Sequence, residues 1–343
     1  MKDILKNKVY KNDLERIITN LDLSSLSNKT ILITGGLGLI CSSIVDILHE
    51  SNRNIKILVA DINKTFFSQR YDGYKDIKYI EYNALEPLNF SFKTDFIIHG
   101  AGISSPDLYV SKPVETMLSN YSGVLNLLEY SKQLNVKRLL YISSSEVYGN
   151  TTNSNAFTEG VFGSSDISNI RNSYCEAKRA SEMLCLSFLK EYAVNTVIVR
   201  PGHIFGPTAS PFDKRISSEF AFKAARGENL EMKSSGVQKR SYCYSLDCAA
   251  AILTVLIKGI AGEAYNIGHS EVTSIKEMAE VLADEGGVIL KLAKPSEQEL
   301  IRFNPMDNSS LNNEKIKSLG YKDTFSVEEG LRHTVRILKD LYY

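Results

Sequence analysis

The stretch TILITGGLGLICSSIVDILHE, residues 30–50, decides the fold. A β-branched run passes directly into a glycine-rich turn, and apolar residues at helical spacing follow it. Glycine permits a tight turn and lets the backbone approach a ligand, while the free amide groups at the start of a helix favour an anion. This order predicts a loop that binds a dinucleotide pyrophosphate. The residues expected to contact it are Gly35, Gly38, Leu39 and Ile40.

Two more residues refine this cofactor site. Cys41 stands where such a loop usually has its third glycine, so we expect slightly wider packing between helix and strand without loss of binding. Asp61 ends the next strand, about 20 residues further on, where a carboxylate accepts hydrogen bonds from ribose hydroxyls and repels a 2'-phosphate. The sequence therefore predicts NAD as the cofactor and disfavours NADP.

Outward from this stretch, short β-branched runs alternate with helical periodicity over residues 29–200. The strand-like runs are IKILVAD, IKYIEYN, DFIIHGA, RLLYISSS and NTVIVR. This alternation is typical of βαβ units, so we predict an α/β fold with a Rossmann-type doubly wound parallel sheet. Residues 201–343 are less regular and are expected to form mainly a smaller C-terminal substrate-binding region. Parts of about 240–270 are expected to rejoin the core, with a last strand near AYNIG at 264–268.

Residues 1–28 are expected to form a helical arm that packs on the core and has a structural role. Asn12 with Glu15 resembles a capping box, which would start the helix there. The apolar residues at helical spacing are Leu14, Ile17, Ile18 and Leu21.

Composition narrows the class of protein further. The chain has 40 basic and 40 acidic residues and no long basic block, which argues against nucleic-acid binding. No run approaches the roughly 20 apolar residues of a membrane span, and the N-terminus lacks the apolar segment of a secretion signal. We therefore expect a cytoplasmic protein. The five cysteines form no CxxC pair and no metal-ligand spacing, which predicts reduced thiols and no metal site.

A catalytic pair is suggested by NSYCEAKRASE, in which Tyr174 and Lys178 are four residues apart and share one helix face. An ammonium near a phenol lowers the pKa of the phenol, so Tyr174 is a candidate base. The serines at 143–145 follow the strand RLLYI, at the sheet edge where an open α/β fold binds its ligands. One of these hydroxyls can bond the reacting oxygen.

From Lys29 onward, the order of glycine loop, acidic strand end, serine-ended strand and YxxxK resembles the extended short-chain dehydrogenase/reductase family. SSSEVYG at 143–149 is similar to the motif of nucleotide-sugar dehydratases and decarboxylases. The resemblance implies transient oxidation at C4 of a nucleotide-activated sugar, with NAD as a recycled oxidant. The catalytic residues it implies are Ser144, Glu146, Tyr174 and Lys178. Further cofactor contacts implied are Asn83, Ala84, His99 and Ala101, although strand-end structural roles remain open for Asn83 and His99.

The resemblance also implies substrate contacts, with some departures from the family pattern. Ser145 stands where dTDP-glucose 4,6-dehydratases have an aspartate, and His203 replaces an asparagine that contacts the substrate phosphates. Arg240 aligns with an arginine that grips the diphosphate, and Arg215 is a second candidate. SPDLYVSKPVETMLSNYSGVLNLLE resembles UDP-glucuronate decarboxylases, yet 304–321 holds no carboxylate-binding arginine and Arg302 lies too early.

We therefore expect an NDP-sugar 4,6-dehydratase or epimerase. The alternatives are a UDP-glucuronate decarboxylase-like enzyme, a C4 dehydrogenase and a catalytically silent NAD-binding regulator. Helices around TMLSNYSGVLNLLEYSK and SYCEAKRASEMLCLSFLKEY carry apolar residues on more than one face, and relatives pair these helices between subunits. A homodimer is therefore expected.

Overall fold

The computed structural model describes residues 3–88, 90, 92–151, 156–293 and 308–343. Arg302 lies outside the described residues. The α-helices are α1 Lys8–Thr19, α2 Leu39–Glu50, α3 Lys64–Tyr71, α4 Pro106–Ser111, α5 Pro113–Leu134, α6 Ser173–Tyr192, α7 Ile216–Ala225, α8 Ser245–Lys258, α9 Ile275–Gly286, α10 Glu314–Lys317 and α11 Val327–Tyr342. Within these ranges, no helix is long and apolar enough to cross a membrane.

The strands form one large sheet and three small ones. They are β1 Thr30–Thr34, β2 Lys56–Asp61, β3 Ile77–Glu81, β4 Phe96–His99, β5 Arg138–Ile142, β6 Thr196–Pro201, β7 His203–Phe205, β8 Leu230–Met232, β9 Lys239–Arg240, β10 Tyr242–Tyr244, β11 Ala264–Ile267, β12 Thr273–Ser274, β13 Leu290–Leu292 and β14 Asn308–Ser309. The large sheet has seven parallel strands in the order β11-β6-β5-β4-β1-β2-β3. The predicted Rossmann-type sheet is confirmed, including the last strand near residues 264–268.

Alternate residues of each central strand enter different cores. In β1, Ile31 and Ile33 belong to the apolar cluster that includes α2 and α8, while Leu32 belongs to the cluster with α5 and α6. A parallel sheet covered by helices on both faces needs apolar residues at every position, which explains the unbroken run TILIT. Because the strand order reverses between β1 and β4, their carboxyl ends open a crevice at that point.

Parts of the chain after residue 201 lie beside this crevice, whereas α8 and β11 belong to the core around the large sheet. Helices α7, α9 and α11 pack on one another. Three short sheets accompany them, with the orders β10-β7, β12-β9-β14 and β13-β8. The division of the chain into an arm, a cofactor core and a substrate region stays a prediction.

The N-terminal arm begins its helix earlier than predicted. Asn7 caps α1, because its side-chain oxygen accepts a hydrogen bond from the Tyr10 amide at 2.9 Å. The capping box predicted at Asn12 and Glu15 is wrong, since both residues lie inside the helix. Asn7 satisfies an amide of the first turn, so the helix needs no second start at Asn12.

The arm joins parts of the chain that are far apart in sequence. Helix α1 packs on α2, α8 and α11. Asn7 donates a hydrogen bond to Asp340 of α11 at 2.8 Å, and Arg16 forms an ion pair with Glu329 at 2.6 Å. On the other side, the Tyr10 hydroxyl donates to the buried Asp46 carboxylate of α2 at 2.6 Å.

Candidate active site

A cleft of about 950 Å³ opens at the carboxyl ends of the central strands, within the size range of small-molecule sites. It runs from the glycine loop to the C-terminal region. The predicted residues that line it are Gly35, Gly38, Leu39, Ile40, Ser144, Ser145, Glu146, Tyr174, Lys178, His203, Arg215 and Arg240. The structure thus brings most of the predicted residues together around one space.

The glycine loop has the shape that a dinucleotide needs. Gly35 has a φ of 65°, and a Cβ at this position would lie 2.8 Å from the Ala101 backbone nitrogen. Gly38 caps α2 without any side-chain hydrogen bond, so the first amide groups of this twelve-residue helix are not capped by a side chain. Free amides at a helix start attract a pyrophosphate, and the residues present therefore fit the predicted cofactor.

Cys41 is accommodated by a glycine on the neighbouring strand end. The thiol is buried, and a Cβ added to Gly100 would overlap its sulfur atom. From the missing third glycine we expected wider packing around α2. In the structure, the thiol occupies the space that a side chain at Gly100, just after β4, would fill.

Asp61 lies at the end of β2 and turns toward the glycine loop. Its carboxylate accepts hydrogen bonds from the amides of Leu37 and Asn63, each at 3.2 Å. Burial raises the pKa of Asp61, while these backbone bonds lower it. The bond to Leu37 places the carboxylate beside the loop, although Asp61 is not among the residues that line the cleft.

Tyr174 and Lys178 lie on the first turns of α6, and both are buried. The Lys178 ammonium donates a hydrogen bond to the Ile142 carbonyl at 2.8 Å and lies 5.6 Å from the centre of the Tyr174 ring. Burial lowers the pKa of Lys178 to about 7. Both side chains therefore reach the cleft from one helix face, as the spacing predicted.

The pKa of Tyr174 does not follow the simple expectation from the sequence. Burial raises it to about 12, and a hydrogen bond with Ser144 is the largest opposing effect. Lys178 is not among the main causes of the shift. Desolvation of the phenol therefore outweighs the effect of the lysine in the free protein.

Ser144 and Glu146 belong to one short segment after β5, which forms the 3-10 helix Ser145–Tyr148. The Ser144 side chain caps this helix by accepting a bond from the Glu146 amide at 3.2 Å. Cys175 donates a hydrogen bond from its thiol to the Glu146 carbonyl at 3.0 Å, which ties the helix to α6. The Glu146 carboxylate faces Arg171, with 3.4 Å between Oε2 and Nη1.

The other end of the cleft carries the predicted substrate residues. Arg240 is buried in β9 and donates to the Lys239 carbonyl at 2.8 Å. His203 starts β7, and its Nδ1 has no hydrogen-bond partner among the described residues. Burial, and next the charge of Arg240, lowers the pKa of His203 to about 3, so the ring is neutral at pH 7. Arg215 is held by Asp213, whose carboxylate accepts from Nε at 3.0 Å.

The model for the NAD dependent epimerase/dehydratase family matches residues 31–268, which is more than half of the chain. The chain belongs to this family. UDP-glucuronic acid decarboxylase 6 of Arabidopsis thaliana is 31% identical over 315 residues, covering 89% of this chain and 87% of the relative. The dTDP-D-glucose 4,6-dehydratase of Homo sapiens is 26% identical over 330 residues, covering 92% and 91%. The predictions of the family, of NAD as the cofactor and of an enzyme are confirmed.

Solved structures share the fold. The UDP-glucose 4-epimerase of Thermotoga maritima, determined with UDP-glucose, has a TM-score of 0.80 at 24% identity and covers 92% of this chain and 100% of its own. The UDP-glucose 4-epimerase of Thermus thermophilus, determined with NAD, has a TM-score of 0.77 at 23% identity, covering 91% and 99%. At these identities the likeness concerns the fold alone.

Some residues predicted from the family resemblance do not line the cleft. Asn83 bonds within its own turn, accepting from the Leu85 amide and donating to Glu86. Ala84 is buried in the core beneath α5. Ala101 lies against the glycine loop at Gly35. The hydrogen bonds of Asn83 therefore agree with the structural role that the sequence left open. The cofactor role of these residues stays a prediction.

His99 is also placed behind the cleft. Its Nδ1 lies 2.6 Å from the Thr34 hydroxyl, and burial lowers the pKa of the ring to about 3. Nε2 has no hydrogen-bond partner among the described residues. A direct cofactor contact by His99 stays a prediction.

Two residues that contact the predicted catalytic side chains were not predicted from the sequence. Arg171 precedes Tyr174 by three positions and carries the charge opposite Glu146. Tyr109 of α4 stacks on Tyr174 with 4.4 Å between ring centres. The motif SPDLY contains Tyr109, but nothing in its spacing points to a site on another helix.

Proposed function

We propose that this enzyme oxidises C4 of a nucleotide-activated sugar transiently, acts at C5 of the ketone and then returns the hydride. The products would be those of a 4,6-dehydratase or an epimerase. Bound NAD supplies the hydride acceptor and donor. The convergence of Ser144, Glu146, Tyr174 and Lys178 on one cleft supports this proposal.

In the oxidation step, Tyr174 takes the proton of the C4 hydroxyl. The Ser144 hydroxyl lowers the pKa of the phenol, so Ser144 lies on the side of Tyr174 where the reacting oxygen would bind. Lys178 is fixed by the Ile142 carbonyl beside the Tyr174 ring. Its ammonium would contact a cofactor bound in the cleft, and a positive charge near the phenol favours the phenolate.

The single observation that carries the C5 chemistry is the Glu146 carboxylate in the same cleft. A C4 ketone makes the C5 proton acidic, and a nearby carboxylate can remove it. Glu146 is close enough to Tyr174 to act on the charge of the phenol, and Arg171 holds its Oε2. In a dehydratase the hydroxyl on C6 leaves as water after this proton is removed. In an epimerase the proton returns on the other face.

Glu146→Gln tests this role. The variant should still reduce NAD in a single turnover, because the hydride step does not use Glu146, yet it should exchange the C5 proton about 10² to 10⁴ times more slowly. Tyr174→Phe should stop both steps. Solvent deuterium incorporation at C5, read by mass, measures the exchange. Exchange at the wild-type rate in Glu146→Gln would mean that Glu146 is not the base, and absence of C5 exchange in the wild-type enzyme would favour a plain C4 epimerase or C4 dehydrogenase.

Decarboxylation is the second candidate, and Arg171 is the observation that favours it. The sequence showed no arginine near 304–321 to bind a sugar carboxylate, but Arg171 enters the cleft from the turn before α6. Curated relatives at 31% identity are UDP-glucuronic acid decarboxylases. A sugar with a carboxylate on C5 becomes a β-keto acid when C4 is oxidised, so it loses carbon dioxide without a base at C5.

Product masses separate these reactions. The purified enzyme with NAD is incubated with a panel of nucleotide hexoses and nucleotide uronic acids. Loss of water identifies a dehydratase, loss of carbon dioxide a decarboxylase and unchanged mass an epimerase. Net NADH formation would identify a dehydrogenase. If the protein binds NAD but turns over no nucleotide sugar, the proposal is refuted and the catalytically silent regulator is the remaining alternative.

We also propose a homodimer formed through α5 and α6. These helices pack on each other, yet apolar residues on their outer faces stay exposed. On α5 they lie at helical spacing, which gives one continuous stripe. The exposed residues are Val114, Met117, Leu118, Tyr121, Met183 and Leu186.

Light scattering at micromolar concentration should give twice the monomer mass. Leu118→Glu places a charge in the stripe and should give the monomer mass, while Ile260→Glu, at another exposed apolar residue, should not. A monomeric wild-type protein would rule out the dimer.

We further propose a cytoplasmic location, supported by five buried free thiols, and a role in polysaccharide biosynthesis, for which activated sugars are the precursors.

A further inference from the structure

Tyr109 has no role in the chemistry described so far, although its ring covers the proposed base. The rings of Tyr109 and Tyr174 lie 4.4 Å apart at an angle of 6°. This offset stack is an arrangement that aromatic pairs favour, and a constraint from the backbone supports it. Both rings are buried in the wall of the cleft.

The backbone constraint is visible where α4 meets the start of α6. The Ser173 hydroxyl donates a hydrogen bond to the Tyr109 carbonyl at 3.1 Å. Helix α4 also packs on α5 and on the short 3-10 helix Ile170–Asn172 that leads into α6. Tyr109 and Tyr174 are therefore held by two elements that are fixed to each other.

The rings of the two residues stack in parallel, and the Tyr109 side chain lowers the pKa of Tyr174. Burial raises the pKa of Tyr109 well above its ordinary value, so its phenol keeps its proton when Tyr174 loses one. A protonated phenol next to a phenolate is a hydrogen-bond donor. A bond to the charged form of Tyr174 favours that form.

Other groups also face Tyr174, and each comes from a different element. Lys178 lies on α6, Ser144 precedes the 3-10 helix that carries Glu146, and Arg215 is the N-cap of α7. Ser144 and Arg215 lower the pKa of Tyr174, whereas Glu146 raises it. Arg171 is one step further away, because it faces Glu146 and Tyr109.

We propose that Tyr109 is a positioning residue for the catalytic tyrosine: its ring holds Tyr174 in place, and its hydroxyl donates a hydrogen bond that stabilises the Tyr174 phenolate. The inference rests on the proposed role of Tyr174 as the base. It adds a second phenol beside the base, and the hydroxyl of this phenol is a hydrogen-bond donor in addition to Ser144 and Lys178. The hydroxyl and the ring have separate effects, so two variants can separate them.

The first measurement does not need a substrate. The ultraviolet absorption of tyrosinate is followed during a pH titration of the NAD-loaded protein, and the curve of Tyr174→Phe is subtracted to isolate Tyr174. The same subtraction in a Tyr109→Phe background should show Tyr174 titrating about one pH unit higher, because a hydrogen bond to a charged group has been lost. Tyr130→Phe removes a hydroxyl outside the cleft and should leave the Tyr174 curve unchanged.

The second measurement is the pH profile of NAD reduction in a single turnover with an accepted nucleotide sugar. Tyr109→Phe should move the profile about one unit upward, which is about a tenfold lower rate on its rising limb, and should keep the plateau. Tyr109→Leu also removes the ring and should lower the plateau itself. Circular dichroism and thermal melting confirm that each variant is folded.

Overlapping titration curves for the wild type and Tyr109→Phe would overturn the role of the hydroxyl. An unchanged plateau in Tyr109→Leu would overturn the role of the ring. Absence of any Tyr174 tyrosinate would also overturn the inference, because there would be no phenolate to stabilise. If no nucleotide sugar is turned over but the titration shift is present, the proposed function fails while the coupling of the two phenols stands.

Discussion

Gly100→Ala should destabilise the enzyme, mainly through an overlap with Cys41. A methyl group at this position overlaps the Cys41 sulfur and lies 3.2 Å from Ile142 Cδ1. Gly100 does not have a positive φ, so alanine fits the backbone and the penalty comes from packing. Overpacking a core typically costs about 1 to 3 kcal/mol.

The magnitude can be isolated with a double-mutant cycle. Cys41→Ala alone removes one buried sulfur and should cost about 1 kcal/mol of unfolding free energy. In the double variant this loss also makes room for the Gly100 methyl group. The two changes together should therefore cost about 1 to 2 kcal/mol less than the sum of the single changes.

Urea unfolding of the four proteins, followed by circular dichroism, measures these free energies. NADH affinity, followed by the fluorescence of its reduced nicotinamide, should fall in Gly100→Ala and recover in the double variant, since Cys41 lies in the first turn of α2. Additivity within about 0.5 kcal/mol would refute the packing argument, because independent sites add to within that margin.

Three further changes are informative. Asp61→Ala should narrow the preference for NAD over NADP in binding titrations, because the carboxylate beside the glycine loop no longer repels a 2'-phosphate. Arg171→Gln should slow C5 deuterium exchange but keep single-turnover NAD reduction, since it frees the Glu146 carboxylate. Asp46→Asn leaves the buried Arg70 guanidinium, 2.5 Å from its oxygen, without a counter-charge and should cost about 3 to 5 kcal/mol in urea unfolding.

Matched controls accompany these variants. Asp72→Ala and Asp72→Asn change an exposed carboxylate and should affect neither nucleotide preference nor stability. Arg171→Lys keeps the positive charge and should recover part of the exchange rate. Equal affinity of the unmutated protein for NAD and NADP would contradict the role of Asp61. An unchanged unfolding free energy in Asp46→Asn would mean that the buried charge is compensated elsewhere.

The large sheet was predicted well from the sequence, because each of its strands can be recognised from a few consecutive residues. Each buried strand is a short β-branched run, and the glycine loop fixes where the first strand ends. Helix α3 was not predicted, since KTFFSQRY has no clear apolar face and its Asn63 cap is a weak signal by itself. The start of α1 was misplaced because Asn12 with Glu15 fits a capping box, whereas the observed cap is the lone asparagine Asn7.

The same difference between local and long-range signals applies to the candidate site. Residues in contiguous motifs, such as Ser144 with Glu146 and Tyr174 with Lys178, were found and lie in one cleft. Tyr109 and Arg171 reach this cleft from other segments, and only the packing of α4 against α6 brings them there. Gly100 shows the same limit, because its need for a glycine arises from a thiol 59 positions earlier in the chain.

The N-terminal arm has a consequence for the order in which the chain folds. Its bond to Asp46 spans 36 positions, whereas its bond to Asp340 spans 333. During synthesis α1 can dock on α2 early, but its contacts with α11 form only after more than 300 further residues have been made. Until then the arm is held from one side, and a nascent chain presents a protease or a chaperone with an incompletely covered apolar surface. Limited proteolysis during translation should therefore cut near α1 until α11 has emerged from the ribosome.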